Sequence, residues 1–206
     1  MSSASRPGKI VCVGRNYRAH AQELGNDVPK EPLLFLKPPS SIIATDEHIV
    51  LPTMSKQVEY EGEIGVVIGE RLTRASEAAA ARGIRGIVAL NDVTARDLQR
   101  TDGQWTRAKG FDTFCPIGPE IPAPSDLDAI EVTTRVNGSV RQHAPARDMV
   151  FAIPMLLSYI SSIMTLEPSD VVATGTPAGV GRLESGDVVE VEVGGSKVRN
   201  SVIGAG

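Results

Sequence analysis

The sequence predicts an α+β, β-rich domain, and three observations carry that prediction. Its 20 glycines and 14 prolines cut 206 residues into many short segments, a punctuation that suits strands and turns better than long helices. EVTTRVNGSVRQHA (131–144) alternates in polarity about an Asn137-Gly138 pair, which is a strong hairpin signal. Only VFAIPMLLSYISSIMTL (150–166) is long and apolar enough for a substantial helix; apolar all round, it is expected to be largely buried.

The elements follow in order. KIVCVG (9–14) reads as a short apolar strand. NYRAHAQELG (16–25) reads as a brief helix closed by Gly25. PLLFLKPPSSII (32–43) is extended chain interrupted by prolines, and VEYEGEIGVVIG (58–69) is a strand whose second half is wholly apolar. ASEAAAARG (75–83) suits a helix, IRGIVALND (84–92) a strand ending in two polar residues, and TARDLQR (94–100) a short helix. After the hairpin and the long helix, DVVATGTPAGVG (170–181) and DVVEVEVGGSKVRNSVI (187–203) return to strands and turns.

Bulk properties exclude some functions. A net charge of −4, spread along the chain, offers no nucleic-acid surface. No apolar run approaches the ~20 residues that span a bilayer. The opening MSSASRPGK lacks the apolar centre of a signal peptide. The expectation is a cytoplasmic protein, with residues 1–8 flexible and 9–206 forming one domain. Cys12 and Cys115 make no metal-ligand pattern; a disulfide and two free thiols both fit, and a reducing cytosol favours thiols.

On a strand, Glu59, Glu61 and Glu63 share one face, with neighbouring carboxylates roughly 6–7 Å apart. Desolvating such a ladder costs several kcal/mol per group, unless a cation or hydrogen-bond donors compensate. Either that end of the strand is wet or something positive sits there. Asp92, at the tip of GIVALND, adds a third carboxylate position at a strand end. Two glutamates from one strand and this aspartate make an all-oxygen donor set, suited to Mg²⁺ or Mn²⁺, with Ca²⁺ a further candidate. Glu59 is then spare, either supporting the ligands or solvated. The structural alternative is a frayed, wet strand edge with Asp92 capping a helix.

His20 and Glu23 are three residues apart, on one helix face. A carboxylate orients an imidazole and supports its cation, which suits a general base; a plain surface pair has the same spacing. Lys109, just before a glycine, could stabilise an oxyanion or enolate. Arg96 lies one turn after Asp92 and could pair with it or bind a substrate carboxylate bidentately. Gln99 could add a hydrogen bond on the same side. ATGTPAGVG (173–181) lacks the ending of a phosphate loop; it reads as a tight turn, or as Thr176 and neighbouring amides offered to an anion. His48 and His143 sit in loop and hairpin contexts.

LFLKPPSS, EYEGEIGVVIG, NDVTARDLQ, AKGFDTFCPIGP and ATGTPAGVG, following KIVCVGRNYRAHAQELG in this order, resemble the fumarylacetoacetate hydrolase family over nearly the whole chain. The short length resembles its compact acylpyruvase and oxaloacetate decarboxylase-like branch. The resemblance implies a mixed β-sandwich roll with flanking short helices, commonly a homodimer. It places the metal-binding E-x-E on Glu61 and Glu63 and the third ligand on Asp92, leaving Glu59 outside. It puts the His–Glu dyad on His20 and Glu23, the family lysine on Lys109, and substrate contacts on Arg96, Gln99 and Thr176.

The implied chemistry is cleavage of a carbon–carbon bond in a 2,4-diketo acid, an acylpyruvate or fumarylpyruvate-like substrate, by way of a pyruvate enolate. Oxaloacetate decarboxylation or isomerisation of an unsaturated 2-hydroxy or 2-oxo diacid would use the same enolate. The distal group of the substrate is expected to be read by the segment after His20, roughly NDVPKEPL. A non-catalytic metal-binding domain would need neither a base nor Lys109. A nuclease would want a lysine two residues beyond Glu61 or Glu63 and a basic surface, and the chain has neither.

Overall fold

The computed structural model describes residues 6–23, 25 and 27–205. Residues 1–5 of the expected flexible start, and Leu24 and Asn26 next to His20, lie outside them. Arg6 donates from its guanidinium to Pro39 O.

Two sheets carry the fold. The larger has the order Ile121–Pro122, Ile84–Asn91, Gly62–Ile68, Val171–Ala173, Ile10–Gly14, Leu33–Lys37. Ile10–Gly14 runs parallel to Val171–Ala173, and the other neighbours in this sheet are antiparallel. The second sheet orders Ser139–Pro145, Glu131–Val136, Val188–Val193, Ser196–Gly204 and His48–Leu51. Its hairpin turns at Asn137 and Gly138 with φ of 51° and 79°, the left-handed pair that a two-residue turn requires.

Alternation builds the core. Val11, Val13, Ile64, Val66 and Ala89 of the larger sheet join Val132, Val191, Val193 and Val198 of the second sheet in one cluster. Ile10, Cys12, Leu90 and Ala173, at the intervening positions, pack with Cys115 in another. Burial on both faces explains why these strands read as continuous apolar runs rather than alternating ones. Each fully buried Val or Ile contributes about 1.5–3 kcal/mol. Both cysteines are buried free thiols.

Helices flank the sheets and are short. Glu77–Arg82 is capped by Ser76, whose hydroxyl accepts from Ala79 N at 3.3 Å. The long helix is Ile153–Ile163, shorter than the apolar run predicts, because Pro154 suits its first turn and Met164 turns extended. It buries one face, Ile153, Leu156, Leu157 and Ile160, while Ile163 is 56% exposed. The helix is thus largely buried or half-buried, as expected, with only Ser162 and Ile163 at its end exposed. No helix among the described residues is long and apolar enough to cross a membrane.

The glutamate ladder also differs from its reading. The strand breaks at Glu61. Val58–Tyr60 pairs with Gly181–Arg182 and Thr94–Ala95 in a separate three-stranded sheet, and the chain enters the larger sheet at Gly62. Side-chain amides take over at the break: Glu61 N donates to Asn91 Oδ1 at 3.0 Å and Gly62 N to Gln142 Oε1 at 3.0 Å. Gly62 is needed there, since a Cβ would lie 1.9 Å from Thr134 Oγ1.

Candidate active site

The loop after Ile10–Gly14 leads into the helix Arg18–Glu23, which presents a buried His20. Its Nδ1 lies 3.2 Å from Glu23 Oε2. An ionised carboxylate only accepts, so the shared proton sits on Nδ1 and leaves the Nε2 lone pair as a base. Glu23 in turn accepts from Gly179 N at 3.0 and 3.2 Å. Gly179 has φ of 99°, and a Cβ there would lie 2.1 Å from Arg141 O. The glycine-rich segment therefore anchors the dyad through its backbone.

The carboxylates meet as the residues alone suggested. Glu61, Glu63 and Asp92 are all buried, with ligand oxygens within 4.8 Å of one another. The wet-edge alternative is excluded by that burial. Lys109, at the end of the short helix Thr106–Lys109, donates to Glu61 Oε2 at 2.7 Å and Asp92 Oδ2 at 2.6 Å. Lys37 donates to Asp92 Oδ1 at 2.6 Å and Val93 O at 3.1 Å. Arg96 binds Glu59 Oε2 at 2.7 Å and also Glu61 and Gln99. It does not pair with Asp92, because Lys37 and Lys109 occupy that carboxylate. Glu59 is neither solvated nor idle: it is buried and also accepts from Gln57.

The charges do not balance. Glu59, Glu61, Glu63 and Asp92 face three buried cations, Lys37, Lys109 and Arg96. Burial alone would raise Glu61, but Lys109 and Arg96 outweigh it and hold its pKa well below the usual range. Glu63 has no cationic hydrogen-bond partner among the described residues and accepts from Gly175 N at 2.8 Å. Burial, then Asp92 and Glu61, push its pKa well above the usual carboxylate range. Burial would lower Lys109, yet Asp92 and Glu61 raise it, so the ammonium stays charged. A fourth carboxylate among converging, desolvated oxygens, which its neighbours disfavour as an anion, is what a hard divalent cation would compensate. The donor set fits Mg²⁺ or Mn²⁺.

One cavity of about 380 Å³ joins these groups. His20, Glu61, Glu63, Asp92, Arg96, Gln99, Lys109 and Thr176 line it, and Glu23 stands behind His20. Thr176 lines the cavity with its hydroxyl committed: it donates to Gly62 O at 2.9 Å and accepts from Gln142 Nε2 at 2.8 Å. Its proton, like the Gly175 amide, is thus not on offer to an anion.

Against known proteins, residues 9–203 match the family described as fumarylacetoacetate (FAA) hydrolase C-terminal. The chain belongs to the fumarylacetoacetate hydrolase family. Within it, the chain is 46% identical over 193 residues to the mitochondrial oxaloacetate tautomerase FAHD1 of Arabidopsis thaliana, covering 91% of this chain and 86% of that protein. The crystal structure of a 5-carboxymethyl-2-hydroxymuconate delta-isomerase from Mycobacterium smegmatis superposes with a TM-score of 0.90 at 45% identity, over 98% of this chain and 80% of that one. A fumarylpyruvate hydrolase from Pseudomonas aeruginosa, solved with Mn²⁺ and pyruvate, gives 0.89 at 29% identity, over 97% and 91%. The fold is the strand-rich α+β fold of this family.

Sequence reasoning left out several residues that build the site. Lys37 ends LLFLK, and a charge closing an apolar strand was its one local signal. Asn16 holds the active-site loop through Thr174 O at 2.8 Å and Phe151 N at 2.8 Å, bonds with no trace in local spacing. Phe35 and Trp105 form an aromatic wall, their rings 5.3 Å apart and edge-on. Phe35, Trp105, Arg15 and Arg100 also line the cavity, and the segment expected to read the distal group begins at Asn26, outside the described residues.

Proposed function

We propose that this protein is a divalent-metal-dependent enzyme of 2-oxo acid enolate chemistry, and that its first reaction is keto–enol tautomerisation of an oxaloacetate-like 2-oxo diacid. The observation that carries this reading is the meeting, in one cavity, of a carboxylate-held imidazole with a buried carboxylate cluster flanked by Lys109 and Arg96. Glu61, Glu63 and Asp92 would hold Mg²⁺ or Mn²⁺. When bound, the ion supplies Lewis-acid stabilisation for negative charge on the 2-oxo oxygen.

His20 Nε2 takes the acidic proton from C3, and the C–H electron pair becomes the enolate. Glu23 stabilises the resulting imidazolium. Lys109 places positive charge beside the developing oxyanion. Return of the proton from His20 to the enolate oxygen completes the tautomerisation, and return to carbon at another position would be an isomerisation. The relatives at 45–46% identity named as a tautomerase and an isomerase support proton transfer as the first reading.

Hydrolysis of an acylpyruvate is the second reading, supported by the more distant fumarylpyruvate hydrolase. There His20 would deprotonate water, the oxygen would attack the distal carbonyl, and the C–C bond would break to leave the pyruvate enolate. Decarboxylation of oxaloacetate reaches that enolate by losing CO₂ and needs no base. Purified protein with Mn²⁺ or Mg²⁺ should be assayed on oxaloacetate, acylpyruvates and unsaturated diacids. His20→Ala is expected to stop tautomerisation and hydrolysis and to spare decarboxylation. Wild-type turnover of acylpyruvates with no acceleration of oxaloacetate tautomerisation would reverse the order of the two readings.

A further inference from the structure

We propose that Gln142 is the positioning residue that sets the metal-ligand strand and the turn behind the His20–Glu23 dyad in one geometry; the inference rests on the metal-and-base reading of the site above. Gln142 lies on the edge strand Ser139–Pro145, between the exposed Arg141 and His143, yet is only 1% exposed. A bulge turns it inward. Thr134 pairs with Gln142 and Arg135 with Val140, which leaves Arg141 as the extra residue. Bulges re-aim side chains and gather beside active sites. This one also brings Arg141 O against Gly179, where a Cβ would lie 2.1 Å away.

Inside, the amide closes a gap between two chain segments. Ala173 pairs with Gly65 and Gly181 with Tyr60, so residues 174–180 loop out opposite 61–64. Gln142 reaches both sides of that loop. Its Oε1 accepts from Gly62 N at 3.0 Å, between the ligand positions Glu61 and Glu63. Its Nε2 donates to Thr176 Oγ1 and to Pro177 O, each at 2.8 Å. Thr176 and Pro177 lie between Gly175, whose amide holds Glu63, and Gly179, whose amide holds Glu23. Gly62 N can only donate and Pro177 O can only accept, which fixes the orientation of the amide. One acceptor and two donors on a rigid planar group are what the gap requires, and no other side chain of this length supplies them. A polar group so buried and so fully bonded specifies one arrangement of its partners. The carboxylates and the imidazole are thereby held as a unit, although Gln142 does not itself line the cavity.

Gln142→Met keeps the bulk and removes the amide. Gln142→Asn is one methylene too short to bridge the gap, and it serves if the methionine variant does not fold. Val132→Ala, in the core of the same sheet, is the control for lost stability alone. Two readouts need no substrate: Mn²⁺ affinity by calorimetry, and nitrogen NMR of the neutral His20 ring, where wild type should carry its proton on Nδ1. Each Gln142 variant should weaken Mn²⁺ by about 10-fold and move part of the His20 population to the Nε2–H tautomer. Its kcat should fall about 10- to 100-fold with KM changed by less than about threefold. Val132→Ala should melt lower and leave the other readouts as in wild type. Wild-type Mn²⁺ affinity or a wild-type tautomer in a folded Gln142 variant, or the same losses in Val132→Ala, would overturn the assignment. Turnover separates the two proposals. A wild type inert on every 2-oxo acid, whose Mn²⁺ affinity and tautomer are both shifted by Gln142→Met, upholds Gln142 and overturns the enzymatic reading.

Discussion

Lys37 Nζ lies 2.6 Å from Asp92 Oδ1, and neither side chain exposes any surface to solvent. A fully buried ammonium whose partner is a candidate metal ligand orients that ligand. Lys37→Met removes the charge and leaves Asp92 with Lys109 alone. Breaking a buried pair from one side costs about 3–5 kcal/mol, so chemical denaturation should show a loss of that size. Mn²⁺ affinity should fall by at least about 10-fold. An unchanged Mn²⁺ affinity would show that Lys37 has no part in placing Asp92.

Glu63 and Asp92 are expected to respond differently to neutralisation. Glu63 has no ammonium or guanidinium hydrogen-bonded to it among the described residues, and its neighbours disfavour its charge. Glu63→Gln keeps an acceptor for Gly175 N and removes the repulsion, so the metal-free protein should melt no lower than wild type. Asp92→Asn leaves the buried Lys37 ammonium without its carboxylate and Lys109 with Glu61 alone, and should cost at least about 2 kcal/mol. Both variants should abolish the rise in melting temperature on adding Mn²⁺. A Glu63→Gln protein destabilised as much as Asp92→Asn contradicts this account of the cluster.

Gly179→Ala acts on the base without touching substrate. The added methyl meets Arg141 O, which moves the amide that Glu23 accepts from. His20 then loses its oriented partner, and kcat for proton transfer should fall about 10- to 100-fold with a smaller change in KM. Wild-type kcat in this variant would remove Gly179 from the positioning of the dyad.

The thiols predict the alkaline limit of stability. Burial pushes Cys115 up to about 12 and Cys12 well above the ordinary thiol value of 9.0. At pH 8 the native protein should therefore give no reaction with a disulfide reagent, and both thiols should react in denaturant. In the unfolded chain the thiols ionise near 9.0, whereas in the fold they keep their protons. The thiols' contribution to stability should then be flat below about pH 9 and fall above it, by up to about 1.4 kcal/mol per pH unit for each thiol. Tyr17, raised chiefly by burial, adds to the same slope at still higher pH. Rapid modification of native protein at pH 8 would contradict the burial.

Much of the architecture was legible because its signals are local. The Asn137-Gly138 turn, the apolar strand 9–14 and the helix 75–83 each rest on signals within a few residues. The E-x-E spacing and the H-x-x-E pair are local in the same way, and they named carboxylates and an imidazole that the fold brings to one cavity. The errors came from neighbours remote in the chain. Gln142 and Asn91 let the strand change sheets at Glu61, so the even ladder became two separate strands. Ile153–Ile163 leaves Ile163 56% exposed, which the composition of the run could not reveal.

What the sequence by itself determined is which chemical groups this protein owns and which local elements carry them. Backbone preference and side-chain periodicity are properties of short segments, so a reading of short segments recovers them. Only the tertiary structure decided the electrostatics. Lys37 meets Asp92 across 55 residues, Gly175 meets Glu63 across 112, and Gly179 meets Glu23 across 156. Charge pairing depends on distance and burial, and separation along the chain sets neither. That is why Glu61 became the carboxylate held by two cations and Glu63 the one with no cationic hydrogen-bond partner among the described residues.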